Sequence, residues 1–297
     1  MRFSTSLGVA SLTLVVAGCA SAALPPAAPQ PNGPATAAAT QNPTSPALAA
    51  ADGPKALPEL AKEFEAEGVT GTIALYDSQD GVLGCSDLKK CQEAVTPAST
   101  FKIPHSMIGF ETGVIESPDT IMPWDHQSYS NDDWNQDLKF RDAFRVSCVP
   151  CYRALARKVG AAGEQEWVNK LGYGNRDISG GVDKFWLSGG LRISAVEQID
   201  FLRRFDGNKL PISERTADWV RDIMTLDVTE KYVLRGKTGS SAPPDEPREL
   251  GWFVGWLELG ERRVFFATLL DGHAPGVELG PLRRKVTERV LRARGYF

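Results

Sequence analysis

A serine and a lysine three positions apart are the first residues in this chain that could do chemistry together. Ser99 and Lys102 lie in the stretch 97–104, PASTFKIP. In a helix this spacing places both side chains on one face, close enough to touch. A serine is a good nucleophile only when a base takes its proton, and a buried lysine with a lowered pKa can be that base. The pair is therefore a candidate for a serine nucleophile and its base.

The sequence that follows predicts the helix that would position this pair. Residues 101–114 are mostly apolar and run to Gly113, which suits a helix end. At the N-terminus of such a helix, unpaired backbone N–H groups and the helix dipole favour the negative charge of an alkoxide or an oxyanion. A serine and a lysine at this spacing also occur by chance on helix surfaces, so partners are needed elsewhere in the chain.

Two later groups could supply such partners. Ser147 begins a predicted helix, where it could relay a proton or simply cap the helix. Lys237, Thr238 and Gly239 come at the end of a predicted strand. A cation, a hydroxyl and a glycine that permits close approach suit a carboxylate ligand.

Three further features have an ordinary structural interpretation beside a functional one. Tyr173-Gly174-Asn175 is typical of a turn that closes a helix. Trp186 would usually lie in a core. Arg283 would usually be a solvated charge at a helix start.

The elements that must position these residues follow a strand–helix–strand order. Apolar alternation predicts strands at 71–76, 82–83, 231–235, 250–257 and 262–270. Helical periodicity predicts helices at 134–146, 150–159, 164–171, 195–205, 215–224 and 282–292. The order predicts an α+β fold, in which a helical domain is inserted into an antiparallel sheet domain.

The N-terminus predicts export. Residues 1–19 form a signal peptide with a lipobox, in which Cys19 would be lipidated, and residues 20–55 form a disordered Ala/Pro-rich tether. We therefore expect a periplasmic protein that is anchored to the membrane through Cys19. The alternative is simple secretion, with cleavage in the small-residue run 21–23. The catalytic domain would span residues 56–297.

The other four cysteines fall in two pairs. Cys85 and Cys91 flank a predicted hairpin tip, and in an oxidising compartment they predict a disulfide. Cys148 and Cys151 are three residues apart, and whether they are bridged is left open because disulfide geometry is demanding.

Composition excludes several other classes. The 297 residues carry a net charge of -4 and no basic stripe, so we expect no nucleic-acid partner. The three histidines, His105, His126 and His273, are scattered, so we expect no metal site and no histidine-based hydrolase.

Taken together, the motifs resemble those of the class D (oxacillinase-type) serine β-lactamases, in the order Ser99-x-x-Lys102, Ser147-x-Val149, Tyr173-Gly174-Asn175, Trp186 and Lys237-Thr238-Gly239. The strings IGFETG at 108–113 and GWFVGW at 251–256 extend the resemblance, which covers about residue 66 to the end. It implies a β-lactamase/transpeptidase-like fold, a five-stranded antiparallel sheet flanked by helices. The sheet part would be about 56–98 and 226–297, and the helical part about 99–225.

The resemblance also implies roles. Ser99 would attack the carbonyl of a β-lactam, a small-molecule substrate of penicillin type, and the reaction would confer antibiotic resistance. Lys102 would be carboxylated by carbon dioxide and act as the general base, with no other cofactor. Trp186 would donate to that carbamate, in a pocket that includes Val149. Ser147 would pass a proton to the leaving nitrogen, with Lys237 nearby.

Substrate binding is implied for the strand that follows. Backbone N–H groups of Ser99 and Ser240 would form the oxyanion hole, Gly239 would lie beside the ligand, and Thr238 and Arg283 would hold its carboxylate. Cys148 and Ser240 depart from the family pattern, and this leaves the substrate range open. The oligomeric state is not implied.

Two alternatives remain. A penicillin-binding sensor or transpeptidase would be acylated in the same way but would not turn over. A thiol oxidoreductase built on Cys148 and Cys151 would need a βαβ context, which the strand–helix–strand order lacks.

Overall fold

The computed structural model describes residues 53–241 and 249–297. Its strands are β1 (Lys55–Ala56), β2 (Val69–Asp77), β3 (Val82–Cys85), β4 (Ile121–Met122), β5 (Leu138–Lys139), β6 (Thr225–Val228), β7 (Val233–Ser241), β8 (Leu250–Leu259) and β9 (Arg262–His273). Its α-helices are α1 (Ala61–Glu65), α2 (Leu88–Gln92), α3 (Lys102–Glu111), α4 (Phe140–Arg145), α5 (Val149–Leu171), α6 (Ala195–Asp206), α7 (Glu214–Ile223) and α8 (Leu279–Ala293). The predicted leader with Cys19, and the tether as far as residue 52, lie outside the described residues.

One large sheet dominates the fold, with strand order β1-β3-β2-β9-β8-β7-β6. The five central strands, in the sheet order β3, β2, β9, β8 and β7, pair antiparallel with one another. At the two edges, β1 pairs parallel with β3 and β6 pairs antiparallel with β7. The predicted five strands are therefore too few. The added edge strands, 2 and 4 residues long, are too short to show alternation in a sequence. β1 also places Lys55 in the sheet and not in the tether.

Both faces of this sheet are buried, and the faces belong to different cores. Along β8, Trp252, Val254 and Trp256 join a core with α3, α5, α6 and α7. Phe253 and Leu257 point the other way and join a core with α1 and α8. A strand that is covered on both sides has no polar face, which explains the continuous apolar run in β8.

The helical region packs around α3, which lies against α5 and α7. Gly160 interrupts α5 with φ +77° and ψ 161°, a non-helical conformation, so α5 consists of two helical segments that meet there, as the two helices predicted at 150–159 and 164–171 require. The predicted helix at 134–146 is shortened to α4. Asn135 and Asp137 instead accept backbone hydrogen bonds from Tyr129 and Trp124, each at 2.8 Å, and such local bonds compete with a helix. No helix in the described part of the chain is long and apolar enough to span a membrane.

The predicted disulfide between Cys85 and Cys91 is wrong, because both are free, buried thiols. They do not flank a hairpin tip. Cys85 ends β3, and Cys91 lies in α2, which Asp87 caps by accepting from Lys90 N at 3.0 Å. A hydrogen bond with Cys91, together with burial, raises the pKa of the Cys85 thiol. The thiolate that oxidation requires is therefore disfavoured.

Candidate active site

Ser99 lies in the tight turn that leads into α3. A 3-10 turn, Ala98–Phe101, continues directly into the helix at Lys102, so the serine stands just ahead of the predicted helix. Ala98 has φ +50°, a left-handed conformation that is unfavourable for alanine. Ser99 itself is 8% exposed. Strain of this kind persists only where the surrounding structure imposes it.

Lys102 is fully buried and contacts the nucleophile. Its Nζ lies 2.9 Å from Ser99 Oγ and 5.1 Å from the centre of the Tyr152 ring. Burial lowers the pKa of Lys102 from 10.5 to about 7, because a dry interior penalises the ammonium form. A large share of this lysine is therefore a free amine at neutral pH, and a free amine can accept the proton of Ser99.

Side chains from beyond α5 hold the nucleophile turn in place. Gln198 in α6 donates from Nε2 to Thr100 Oγ1 at 2.9 Å and to Tyr173 Oη at 3.1 Å. Thr100 Oγ1 donates in turn to Pro97 O at 2.7 Å. Burial raises the pKa of Tyr173, which keeps the phenol neutral. A satisfied buried network of this kind rigidifies the residues that flank Ser99.

The rest of the tyrosine motif shapes the loop behind it. Gly174 has φ +51°, and a Cβ at this position would come within 2.1 Å of Arg192 O. Asn175 accepts from Arg192 N at 3.0 Å and donates to Gly190 O at 2.9 Å. The residue that caps α5 is Gly172, with φ +58°. The predicted helix-closing turn therefore starts before the motif, whose tyrosine instead supports the nucleophile turn.

Ser147 and Lys237 meet from opposite sides of the site. Lys237 Nζ donates to Ser147 Oγ, and to Thr238 O at 3.1 Å. Lys237 is 4% exposed. Burial first, and then the charges of Lys102 and Arg283, lower its pKa well below 10.5. Lys237 therefore gives up a proton more readily than a solvated lysine does, and a serine hydroxyl can pass that proton on.

Ser147 does not cap a helix. It has φ +56°, and the following residue, Cys148, is the N-cap of α5. Cys148 forms a disulfide with Cys151, with 5.4 Å between their Cα atoms. Of the two roles predicted for Ser147, the structure excludes the helix cap, and the proton relay stays a prediction.

The K-T-G motif lies within β7, whereas the sequence predicted it at the end of a shorter strand. A Cβ on Gly239 would come within 3.2 Å of Thr100 N, so glycine lets β7 pass close to the nucleophile turn. Arg283 in α8 donates to Gly239 O at 2.8 Å and to Ser240 Oγ. Burial lowers the pKa of Arg283, which is not a solvated charge. Thr238 lies half-buried between Lys237 and Gly239.

Trp186 is fully buried among aromatic rings. Its ring centre lies 5.8 Å from that of Phe101, 5.0 Å from that of Phe185 and 5.0 Å from that of His105. Its Nε1 has no hydrogen-bond partner among the described residues. Behind it, His105 Nε2 lies 2.9 Å from Glu164 Oε1, and both side chains are fully buried. A buried indole N–H without a partner is costly, so this atom is suited to an acceptor that joins the site.

Two residues of this site, Tyr152 and Gln198, were not predicted from the sequence. Tyr152 covers Lys102, and its Oη lies 2.8 Å from Ser106 Oγ. Nothing distinguishes it from an ordinary core tyrosine in the sequence. Gln198 does carry a signal, because it is a polar residue on the buried stripe of α6. Val149 is half-buried at the start of α5, and its role beside Lys102 stays a prediction.

The described residues contain no cluster of three or more His, Cys, Asp or Glu side chains that could hold a metal ion. What the site brings together is two hydroxyls and two buried lysines, Ser99 with Lys102 and Ser147 with Lys237. Such a set can transfer an acyl group through a serine ester.

Comparisons with known proteins agree with this chemistry. Residues 35–292 match the family described as the penicillin binding protein transpeptidase domain. The chain is 38% identical over 235 residues to β-lactamase OXA-10 of Pseudomonas aeruginosa, which covers 79% of this chain and 88% of that one. It is also 38% identical over 246 residues to β-lactamase OXA-48 of Klebsiella pneumoniae, at 80% and 91% coverage.

Solved structures are similar as well. The class D β-lactamase YbXI from Nostoc has a TM-score of 0.76 and 40% identity, over 80% of this chain and 98% of that one. FUS-1 (OXA-85), a class D β-lactamase from Fusobacterium nucleatum subsp. polymorphum, has a TM-score of 0.77 and 34% identity, over 82% of this chain and 100% of that one.

Proposed function

This chain belongs to the class D β-lactamases, and we propose that Ser99, Lys102, Ser147 and Lys237 carry out its hydrolysis of the β-lactam ring. It is a serine hydrolase of penicillin-type antibiotics, and this activity confers resistance to them. The observation that carries the assignment of residues is the buried Lys102 amine, 2.9 Å from the Ser99 hydroxyl.

Acylation starts at this contact. The Lys102 side chain takes the proton of Ser99, whose Oγ attacks the β-lactam carbonyl and forms an ester as the ring C–N bond breaks. We assign the oxyanion hole to the backbone N–H groups of Ser99, in the nucleophile turn, and of Ser240, in the strand β7 that passes close to this turn. The strained and firmly anchored turn keeps these donors fixed while charge develops.

Other residues than Ser99 and Lys102 act on the leaving nitrogen and on the substrate carboxylate. Ser147 gives its proton to the nitrogen and is reprotonated by Lys237, whose lowered pKa favours release. Thr238 and Arg283 hold the carboxylate through a hydroxyl and a guanidinium. Arg283 already lies beside the strand, through its bonds to Gly239 and Ser240.

We further propose that carbon dioxide carboxylates Lys102. Only a neutral amine adds carbon dioxide, and the lowered pKa of Lys102 supplies one. When present, the carbamate supplies the general base for acylation and for the attack of water on the ester. The apolar pocket would reject such an anion unless donors meet it. The unpaired Trp186 Nε1 and the Ser99 hydroxyl are donors of the required kind.

Replacing Trp186 by phenylalanine should raise the bicarbonate concentration for half-maximal activity at least about tenfold, the effect of losing one hydrogen bond to a buried charge. Wild-type activity should fall below pH 7, because the Lys102 amine is then protonated, and should recover with added bicarbonate. Steady-state rates at pH 6.5, in degassed buffer with graded bicarbonate, measure both effects.

Trp256→Phe is the matched control for this measurement. Trp256 is also fully buried, but its Nε1 donates to Glu258 at 3.0 Å, away from Lys102. This variant should lose stability and keep the bicarbonate response of the wild type. Equal responses in the Trp186→Phe and Trp256→Phe variants would show that Trp186 supports no carbamate.

The alternative function is that of a penicillin-binding sensor or transpeptidase. The match to the penicillin binding protein transpeptidase domain supports this alternative. A chromogenic cephalosporin in hundredfold excess over the enzyme separates the two. A β-lactamase converts all of it, whereas a sensor releases a single equivalent and stops.

We propose that Cys19 is lipidated and anchors the protein to a membrane facing the periplasm. Support comes from the lipobox sequence 16–19 and from the Ala/Pro-rich segment after it. Labelled palmitate should enter the wild type and the control Cys85→Ala, but not Cys19→Ala. An unlabelled wild type recovered wholly in the soluble fraction would point to simple secretion.

A further inference from the structure

The Cys148–Cys151 disulfide lies directly beside a residue of the catalytic machinery. Cys148 follows Ser147 in the chain, and its bond to Cys151 spans the first turn of α5. We propose that this disulfide positions the Ser147 hydroxyl, so that reducing it slows acylation. The proposal rests on the proton-relay role given to Ser147 above.

Ser147 needs such support because of its backbone conformation. Its φ of +56° is unfavourable for a residue with a Cβ. Two local backbone hydrogen bonds hold the turn: Ser147 N donates to Phe144 O at 3.2 Å, and Cys148 N donates to Ala143 O at 2.8 Å. Left to itself, a serine would relax out of this conformation, and its Oγ would move away from Lys237 Nζ.

The start of α5 lacks the usual means of holding such a turn. Helices commonly begin with a Ser, Thr, Asp or Asn side chain that accepts a strong hydrogen bond. Here the N-cap is Cys148, whose sulfur accepts from Cys151 N at 3.2 Å, and sulfur is a weak acceptor. Pro150 removes one of the N–H groups that a cap could engage. The covalent bond to Cys151 therefore takes the place of a strong cap.

The bond is open to a reductant from one side. Cys148 is fully buried, whereas Cys151 is half-buried. The thiolate of a small dithiol would attack Cys151 Sγ, and Cys148 would leave as a thiolate and take up a proton. The second thiol of the reagent then releases Cys151 as a thiol, and the dithiol, oxidised by two electrons, becomes a cyclic disulfide. Because the N-terminal cysteine is buried, this arrangement gives no support to a thiol oxidoreductase.

The experiment compares the oxidised and reduced enzyme. Full-length protein is treated with dithiothreitol, the reagent is removed, and thiol counting confirms two new thiols. The acylation rate constant for a chromogenic cephalosporin is then measured by stopped flow. We expect it to fall about tenfold on reduction, as displacement of a catalytic group predicts, with deacylation unchanged. Reoxidation should restore the rate. The Cys151→Ser variant should have the acylation rate constant of the reduced enzyme, and treatment with dithiothreitol should not change it.

The Ser147→Ala variant distinguishes a disulfide that positions the Ser147 hydroxyl from one that only stabilises the fold. If the disulfide acts through the Ser147 hydroxyl, reduction should cause no further loss of acylation rate in this variant. An equal loss in both backgrounds, an unchanged rate in fully reduced wild type, or a reduced chain that unfolds at the assay temperature would overturn the proposal. Oxidised wild type that is never acylated would contradict the proposed function instead.

Discussion

Ser99→Ala should lose covalent labelling by benzylpenicillin, and its kcat should fall by about 10,000-fold or more, because the variant lacks the hydroxyl that forms the ester. The expected labelling site is the turn ahead of α3, where Lys102 Nζ lies 2.9 Å from the serine hydroxyl. Intact-mass measurement after incubation with the antibiotic, followed by peptide mapping, gives the site and its occupancy.

Ser213→Ala is a suitable control for this loss. Ser213 caps α7 by accepting from Thr216 N at 3.2 Å, so its removal should cost about 1 kcal/mol of stability and leave labelling intact. If Ser99→Ala were still labelled to the same extent at the same peptide, Ser99 would not be the nucleophile.

Lys102→Ala should be acylated about a thousandfold more slowly than wild type and, once acylated, should remain trapped. The reason is that one residue provides the base for both half-reactions, and a positioned base contributes about 100- to 10,000-fold. Rapid-quench mass spectrometry measures the formation and decay of the adduct separately. Truncation of a buried side chain also leaves a cavity, so the folded state should be checked by thermal unfolding.

Lys170→Ala is the matched lysine control, because Lys170 lies on the surface of α5, where it pairs with Glu166 at 2.6 Å and lies over the Trp167 ring. Its adduct should form and decay as in wild type. A Lys102→Ala variant that cleared its adduct at the wild-type rate would remove Lys102 from deacylation. Carbon-13 NMR of wild type in labelled bicarbonate provides an independent check, since a carbamate signal should appear and should be missing in Lys102→Ala.

The local part of this site could be predicted from the sequence, because helical spacing alone brings Ser99 and Lys102 together. The contact between Lys237 and Ser147 joins residues 90 positions apart. Neither residue predicts the other by spacing, and only the order of family motifs suggested it. The burial that lowers the pKa of Lys102 is likewise a property of the assembled core.

Other features gave no usable signal. The edge strands β1 and β6 exist because the sheet offers them partners, and not because their few residues favour a strand. The free thiols of Cys85 and Cys91 show that proximity in sequence and an even count do not fix a disulfide. Tyr152 could not be identified from the sequence, because its ring covers Lys102 only through the packing of α5 against α3.

Turnover through a Ser99 ester is the central claim, and a mass-spectrometric time course of wild type with excess benzylpenicillin tests it most directly. The account predicts an adduct on Ser99 that appears early, persists while substrate remains, and then disappears as the enzyme returns to its unmodified mass, with many equivalents of opened product. An adduct that persists after a single equivalent of product, or product formed while Ser99 stays unmodified throughout, would contradict it.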